Sequence, residues 1–282
     1  MTILFLSAGV DENAITEILA RRTNAQRQEI KAAYQKDTGK DLPKALKSAL
    51  RSSYEDVVLA LLMTPAQFDA HELRHAMKGL GTKEKTLCEI LGTRSNQEIR
   101  LIKAAFKEGK CMDTSVTSFL TICRSEDPNI DDGLAKSDAK ALFEAGEKKL
   151  GTVSSVFIDI LTSRSEAQLC KIFKQYEKIG TQGLNTVVED ELHGSLEECL
   201  MTLVKAAWNK PAYFAERLHL AMKGAGTNCN TLSRIIVSRS EKDLQKIKQE
   251  YKRMYGKTLQ EAILAETKGD YEKVLLLLCG EN

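Results

Sequence analysis

Apolar residues recur along most of the chain at spacings of three and four, in runs short enough to be single small helices. The last quarter shows the pattern most plainly. Leu232, Ile235 and Ile236 form one stripe, and Leu244, Ile247 and Tyr251 form a second. Leu259, Ile263 and Leu264 form a third, and Tyr271 to Leu278 a fourth. Pro211 to Met222 supplies a further helix, with proline near the first turn, where its missing N–H costs nothing. Ser240 with Asp243 is the expected N-cap of the second stripe, and Gly256 its stop. This gives about five short helices joined by connections of a few residues.

The same unit recurs. Ala76-Met77-Lys78-Gly79-Leu80-Gly81-Thr82 returns as Ala221-Met222-Lys223-Gly224-Ala225-Gly226-Thr227. An altered copy runs Ala145-Gly146-Glu147-Lys148-Lys149-Leu150-Gly151-Thr152, and a worn one Ser7-Ala8-Gly9-Val10. Gly9, Gly81, Gly151 and Gly226 lie 72, 70 and 75 residues apart. Arg22, Arg94, Arg164 and Arg239, each within a segment such as Ile90-Leu91-Gly92-Thr93-Arg94-Ser95, keep the same irregular spacing. Two independent features in one register predict an all-α chain of four repeats, at 1–63, 64–136, 137–209 and 210–282. The first lacks most of its leading helix. The second is short and irregular from Lys107 to Asp127, ending in an acidic linker with Ser137 expected to cap the next helix.

Each turn carries chemistry only in combination. Alternating glycines let a backbone turn several carbonyls to one side, and calcium takes six to eight oxygens, carbonyls and carboxylates among them. The turns offer carbonyls but need a carboxylate from elsewhere. Counting 39 residues from Thr152 reaches Glu191, and from Thr227 reaches Glu266. Both lie between two helical stripes. In the second repeat the same count lands on Thr121, with Asp113 as a nearby substitute, and in the first Glu55 lies 46 residues past Gly9. One carboxylate per site implies weak calcium binding, on the order of 10⁻⁵–10⁻³ M, with coordination positions left for a lipid phosphate oxygen. The alternative is that the turns are ordinary helix stops on a helical-repeat scaffold that binds a protein.

Charge and cysteine usage narrow the classes. Lys and Arg total 41 against 39 Asp and Glu, so no basic face for nucleic acid is implied. Seven cysteines without a CxxC pair point to reduced thiols in a cytosolic chain, with neither disulfide framework nor zinc site. The apolar start Met1 to Leu6 lacks a basic region and is a poor signal peptide, and no run reaches a membrane span. The segment Asp127 to Gly133 misses the EF-hand register, and Gly79 to Glu84 is no phosphate loop. No HExxH, serine elbow or Cys–His pair is present, so an enzyme is not expected.

With these residues in hand, the chain resembles the annexins over essentially its whole length. Lys-Gly-x-Gly-Thr followed by an acid 39 residues on resembles that family's calcium-site pattern. Asn24-Ala25-Gln26-Arg27-Gln28, Thr64-Pro65-Ala66-Gln67-Phe68-Asp69 and Glu266-Thr267-Lys268-Gly269-Asp270-Tyr271 are similar to the lipocortin type. The resemblance implies four five-helix repeats in a curved disc and calcium-dependent binding to anionic phospholipid. It also implies roles in membrane aggregation or trafficking and inhibition of phospholipase A2 by covering its substrate. Residue by residue, it implies a third site at Gly146, Lys149, Gly151 and Glu191, and a fourth at Met222, Gly224, Gly226 and Glu266. A first site would use Gly9, Val10 and Glu55, and a second would keep Met77, Gly79 and Gly81. Leu80 and Leu150 would dip into headgroups, with Lys78, Lys149 and Lys223 near phosphates. The expected place is the cytoplasm, peripheral on plasma or endosomal membranes when calcium rises. The tail that gives this type its protein partners is absent from this sequence, so those partners do not carry over.

Overall fold

The computed structural model describes residues 5–6, 9–78, 82–108, 124–148 and 153–280. Within them the chain is helical apart from one hairpin, in which β1 (Phe5–Leu6) pairs antiparallel with β2 (Gly9–Val10). The worn first copy of the turn is therefore strand at Gly9 and Val10, a correction to its reading as a helix-flanking turn.

The first repeat follows as α1 (Glu12–Ala20), α2 (Asn24–Thr38), α3 (Leu42–Ala49) and α4 (Ser52–Leu61). The second contributes α5 (Pro65–Met77), α6 (Glu84–Thr93) and α7 (Asn96–Glu108). The third comprises α8 (Asp132–Ala145), α9 (Ser154–Ser163), α10 (Glu166–Tyr176) and α11 (Leu184–Glu191). The stretch α12 (Gly194–Met222) is interrupted at Asn209, whose φ and ψ of −154° and 91° leave the helical region just before Pro211, and whose Oδ1 accepts from Ala212 N at 3.0 Å to cap the segment that follows. The fourth repeat adds α13 (Cys229–Arg239), α14 (Leu244–Tyr255), α15 (Leu259–Glu266) and α16 (Gly269–Cys279).

Helix starts follow side-chain caps. Thr23 with Gln26 and Thr258 with Glu261 form capping boxes, and Gly39 and Gly256 close α2 and α14 in the left-handed conformation. Two expected caps are displaced. Ser240 is the C-cap of α13 rather than the N-cap of α14, because Asp243 is drawn into a two-pronged ion pair with Arg239 at 2.6 and 2.7 Å. The cap of α8 is Asp131, which accepts from Leu134 N at 2.9 Å, and Ser137 lies inside that helix.

By contact the chain divides into two compact units, residues 1–68 with 214–282, and residues 69–213. In the second, Leu142, Phe157, Leu161, Leu169, Ile172 and Tyr176 are fully buried in one core. Each such side chain contributes about 1.5–3 kcal/mol. The repeated arginines are buttresses of these units. Arg94 is fully buried and grips Asp69 with both prongs at 2.7 and 2.8 Å. Arg164 grips Asp138 at 2.7 and 3.1 Å. In the first repeat the exposed Arg22 has no such role. There the buried Arg27 donates to Leu19 O at 2.8 Å and to Glu241 at 3.1 Å.

The reading of all seven cysteines as thiols is overturned by a disulfide between Cys88 on α6 and Cys199 on α12. They are 111 residues apart in sequence, and nothing local pairs them. Helix packing does, by laying the two helices side by side. Cys170, Cys229 and Cys279 are free.

Candidate metal centre

Three turns share one closing bond. Lys83 N donates to Ala76 O at 2.8 Å, Val153 N to Ala145 O at 3.1 Å, and Asn228 N to Ala221 O at 2.7 Å. Each returns the chain to the last turn of the preceding helix, whose final carbonyls have no partner within the helix. Gly79, Leu80 and Gly81 of the second turn, and Lys149, Leu150 and Gly151 of the third, lie outside the described residues, as does Asp113.

The fourth turn is described completely. Gly224 and Gly226 take φ of 105° and 102°, a region that excludes ordinary side chains. Gly226 N donates to Gly224 O at 3.1 Å. Lys223, Gly224 and Gly226 are exposed, whereas the Met222 side chain is buried beneath. The Thr227 hydroxyl reaches across 39 residues, donating to Glu266 O at 3.0 Å and lying 3.5 Å from its carboxylate Oε2. Glu266 is exposed at the last residue of α15. The structure thus brings together glycine turn, threonine and distal carboxylate.

The third turn is built differently. Gly146 has φ of −108°, and its lack of a side chain is explained by packing: a Cβ there would come within 2.9 Å of Val187 Cγ1 and 3.2 Å of Phe157. Glu147, which sequence reasoning passed over, pins the turn. Its carboxylate accepts from Tyr176 OH at 2.7 Å and from Thr181 N at 2.9 Å and Oγ1 at 2.5 Å. Burial pushes this carboxyl up, but the bonds from Thr181 and Tyr176 outweigh it and hold it below the usual range. Glu191 is exposed at the last residue of α11, with Gly194 at φ 71° three positions on. Glu266 stands in the same relation to Gly269, φ 69°.

That relation locates the counterpart in the first repeat. Ser52 is the only non-glycine with positive φ, at 60°, among the described residues, and three positions before it α3 ends in Ala49. The tyrosines agree. Tyr54 OH donates to Glu12 O at 2.8 Å and sits 2.8 Å from Thr16 Oγ1, while Tyr271 OH donates to Cys229 O at 3.1 Å and sits 2.9 Å from Ser233 Oγ. Each follows its helix-end residue, Ala49 or Glu266, by five. The first repeat therefore has alanine where the third and fourth have a carboxylate, and Glu55 sits instead on the first turn of α4. In the second repeat Met77 ends α5 and Lys78 is exposed.

The fourfold recurrence of one helical unit is matched by a family model. A model of the annexin family matches residues 5–61, 68–113, 137–203 and 213–278. The chain belongs to the annexin family. It is 54% identical to human Annexin A1 over 97% of this chain and 83% of that protein, and 52% identical to Annexin A1 isoform p37 of Columba livia over 97% and 84%. Among solved structures, annexin III superposes with a TM-score of 0.92 at 40% identity, covering 99% of this chain and 91% of that one. Calcium-bound annexin (Sm)1 superposes at 0.82 with 31% identity, covering 97% and 86%. Calcium is the cofactor of annexins, which bind phospholipid membranes peripherally and in a calcium-dependent way. The oxygen donors gathered here, a backbone turn with Glu266 or Glu191, are the hard ligands calcium takes. The family match in the second repeat stops at 113, far shorter than in the third and fourth.

Proposed function

We propose that this annexin clamps calcium between its third and fourth glycine turns and anionic phospholipid. Turn carbonyls with Glu191 or Glu266 hold one side of the ion, and a lipid phosphate oxygen holds the other. The observation that carries this reading is the contact of Thr227 with Glu266. It supports Met222, Gly224 and Gly226 with Glu266 as one ligand set, and by the same helix-end position Gly146, Lys149 and Gly151 with Glu191 as another. Lys78, Lys149 and Lys223 then face phosphates, and Leu80 and Leu150 enter the headgroup layer. The first and second turns are the weaker pair. Ala49 stands where the first needs its carboxylate, leaving Glu55 with Gly9 and Val10 as its donors, and the second has 15 residues, 109–123, where the third and fourth repeats place the helix that ends in one. A protein that coats anionic membrane in this way denies substrate to phospholipase A2 and assembles on the plasma membrane or endosomes from the cytoplasm.

Sedimentation with phosphatidylserine vesicles tests it. The wild type pellets with calcium and is released by chelator. Glu191→Gln with Glu266→Gln shifts the calcium requirement upward by at least tenfold. Unchanged calcium dependence in the double variant would refute the ligand assignment, and equal binding in chelator would refute the mechanism in favour of a scaffold with merely structural turns.

A further inference from the structure

Beside the disulfide lies a groove of about 550 Å³, a size typical of small-molecule sites. Three contacts set α6 and the first half of α12 side by side and parallel. Glu84 meets the Ser195 hydroxyl, Cys88 is bonded to Cys199, and Gly92 lies against Thr202, where a Cβ would approach Thr202 Cγ2 to 2.8 Å. The pair forms the floor. The walls are Leu87, Leu91, Leu196, Leu200, Leu203 and, from α9, Ile158. At one end stand Thr82 and Met77, and at the other, beside Gly92, stands Arg124.

Arg124 gives the groove its polarity. Its side chain is only 10% exposed and sits in an apolar wall. Among the described residues it donates to Gly92 O at 2.8 Å, one bond from a group with five N–H donors. The nearest carboxylate, Glu166, is 3.9 Å away and is held by Lys210 at 2.7 Å. Burial lowers the pKa of this guanidinium, and Glu166 offsets that only in part. A buried cation at one end of a leucine-lined groove is complementary to an anion with an apolar tail.

We infer that this groove binds one medium-chain fatty acid, its carboxylate on the Arg124 guanidinium and its chain along Leu87, Leu91 and Leu200 toward Thr82. The path from Gly92 back to Glu84 is about 12 Å at 1.5 Å per residue, long enough for most of a medium-length chain. No calcium takes part, so this site stands or falls apart from the membrane reading.

The test is calorimetric titration of the full chain in chelator with dodecanoate, dodecanol and butyrate. Dodecanoate binds saturably at one per chain, dodecanol more weakly, and butyrate not at all. Arg124→Gln keeps a donor for Gly92 O but weakens dodecanoate roughly tenfold or more, the usual worth of a hydrogen bond to a charged group, and leaves dodecanol unchanged. Ile158→Trp, at a position 37% exposed and so tolerant of bulk, fills the groove and removes binding of both, with the melting curve confirming the fold. The inference is overturned if dodecanoate fails to saturate, if Ile158→Trp still binds it, or if dodecanol binds as tightly as dodecanoate. It is equally overturned if the chain sediments as a dimer that Ile158→Trp dissociates, since a second copy then owns the groove.

Discussion

The second and fourth repeats carry nearly the same seven-residue turn and nearly the same arginine segment, yet they are held together by opposite means. In the second, Arg94 reaches back 25 residues to Asp69 and buries the pair completely, and Cys88 is bonded to the third repeat through Cys199. In the fourth, the residue 25 before Arg239 is Phe214. The guanidinium stacks over that ring at 4.8 Å and takes its carboxylate locally, from Asp243 four residues on. The fourth repeat keeps the helix-end acid beside its turn, whereas in the second the chain between α7 and α8 is short. Local sequence identity thus conceals a division of labour, long-range ties in one repeat and a completed turn in the other.

The sharpest way to break this contrast is Asp69→Ala. It strands the wholly buried Arg94 and should cost about 3–5 kcal/mol, as removing one partner of a buried pair does. Asp243→Ala should cost less, since Arg239 keeps the Phe214 ring. Thermal melts of the two variants compare them directly, and equal shifts would erase the distinction. Next in size is the disulfide. Closing so long a loop restricts the unfolded chain, and its reduction should remove about 2–4 kcal/mol. Trp208 is the sole tryptophan and lies within residues 69–213, 6.0 Å from Phe173, so its fluorescence reports that unit alone. Its transition should fall in reductant, and Cys88→Ser should be insensitive to reductant. A transition that ignores reductant in the wild type contradicts the tie.

Smaller effects separate the turns themselves. Gly226→Ala forces a side chain into φ of 102° and should cost about 1–2 kcal/mol while weakening calcium at the fourth turn only. Gly146→Ala meets Val187 and Phe157 instead, an overpacking cost of about 1–3 kcal/mol read in the melt of the third repeat's core. One glycine is required by backbone conformation and the other by crowding, although both read as the same letter.

What was legible and what was not follows from this. Helices and connections that differ by a few residues between the third and fourth repeats offset one another and carry a carboxylate to the same count, so the pairing of Thr227 with Glu266 could be read at 39 residues. All sixteen helices among the described residues fall within that four-fold pattern. The disulfide could not be read, because the register of α6 on α12 is a property of packing and not of spacing. Ser240 and Ser137 failed as caps because several polar residues compete near each helix start. A neighbour decides the outcome, Arg239 by claiming Asp243 and Asp131 by bonding Leu134 N first. Gly9 is ambiguous because a glycine between apolar residues suits a hairpin strand as well as a helical turn, and the count from it points to Glu55, whereas the register is set at Ser52, whose positive φ no sequence displays.

The smallest effect expected is a pH dependence that comes from the anchor of the third turn. Glu147 is anchored by Tyr176 and Thr181, while its positional counterpart Lys223 is exposed. Because its folded-state pKa lies below the ordinary carboxylate value, Glu147 stabilises the fold fully above that ordinary value of 4.5. The contribution is lost as pH falls through the depressed folded value. Melting between about pH 6 and pH 3, around the usual carboxylate range, should therefore show an acid limb on Trp208 fluorescence that is shallower in Glu147→Gln, which keeps an acceptor for Tyr176 but cannot titrate. At pH 6 the variant should lie below the wild type, and the gap should narrow as the pH falls. Curves that stay parallel across this range would mean that the anchor is indifferent to charge, and the third turn would then be held by packing around Gly146 alone.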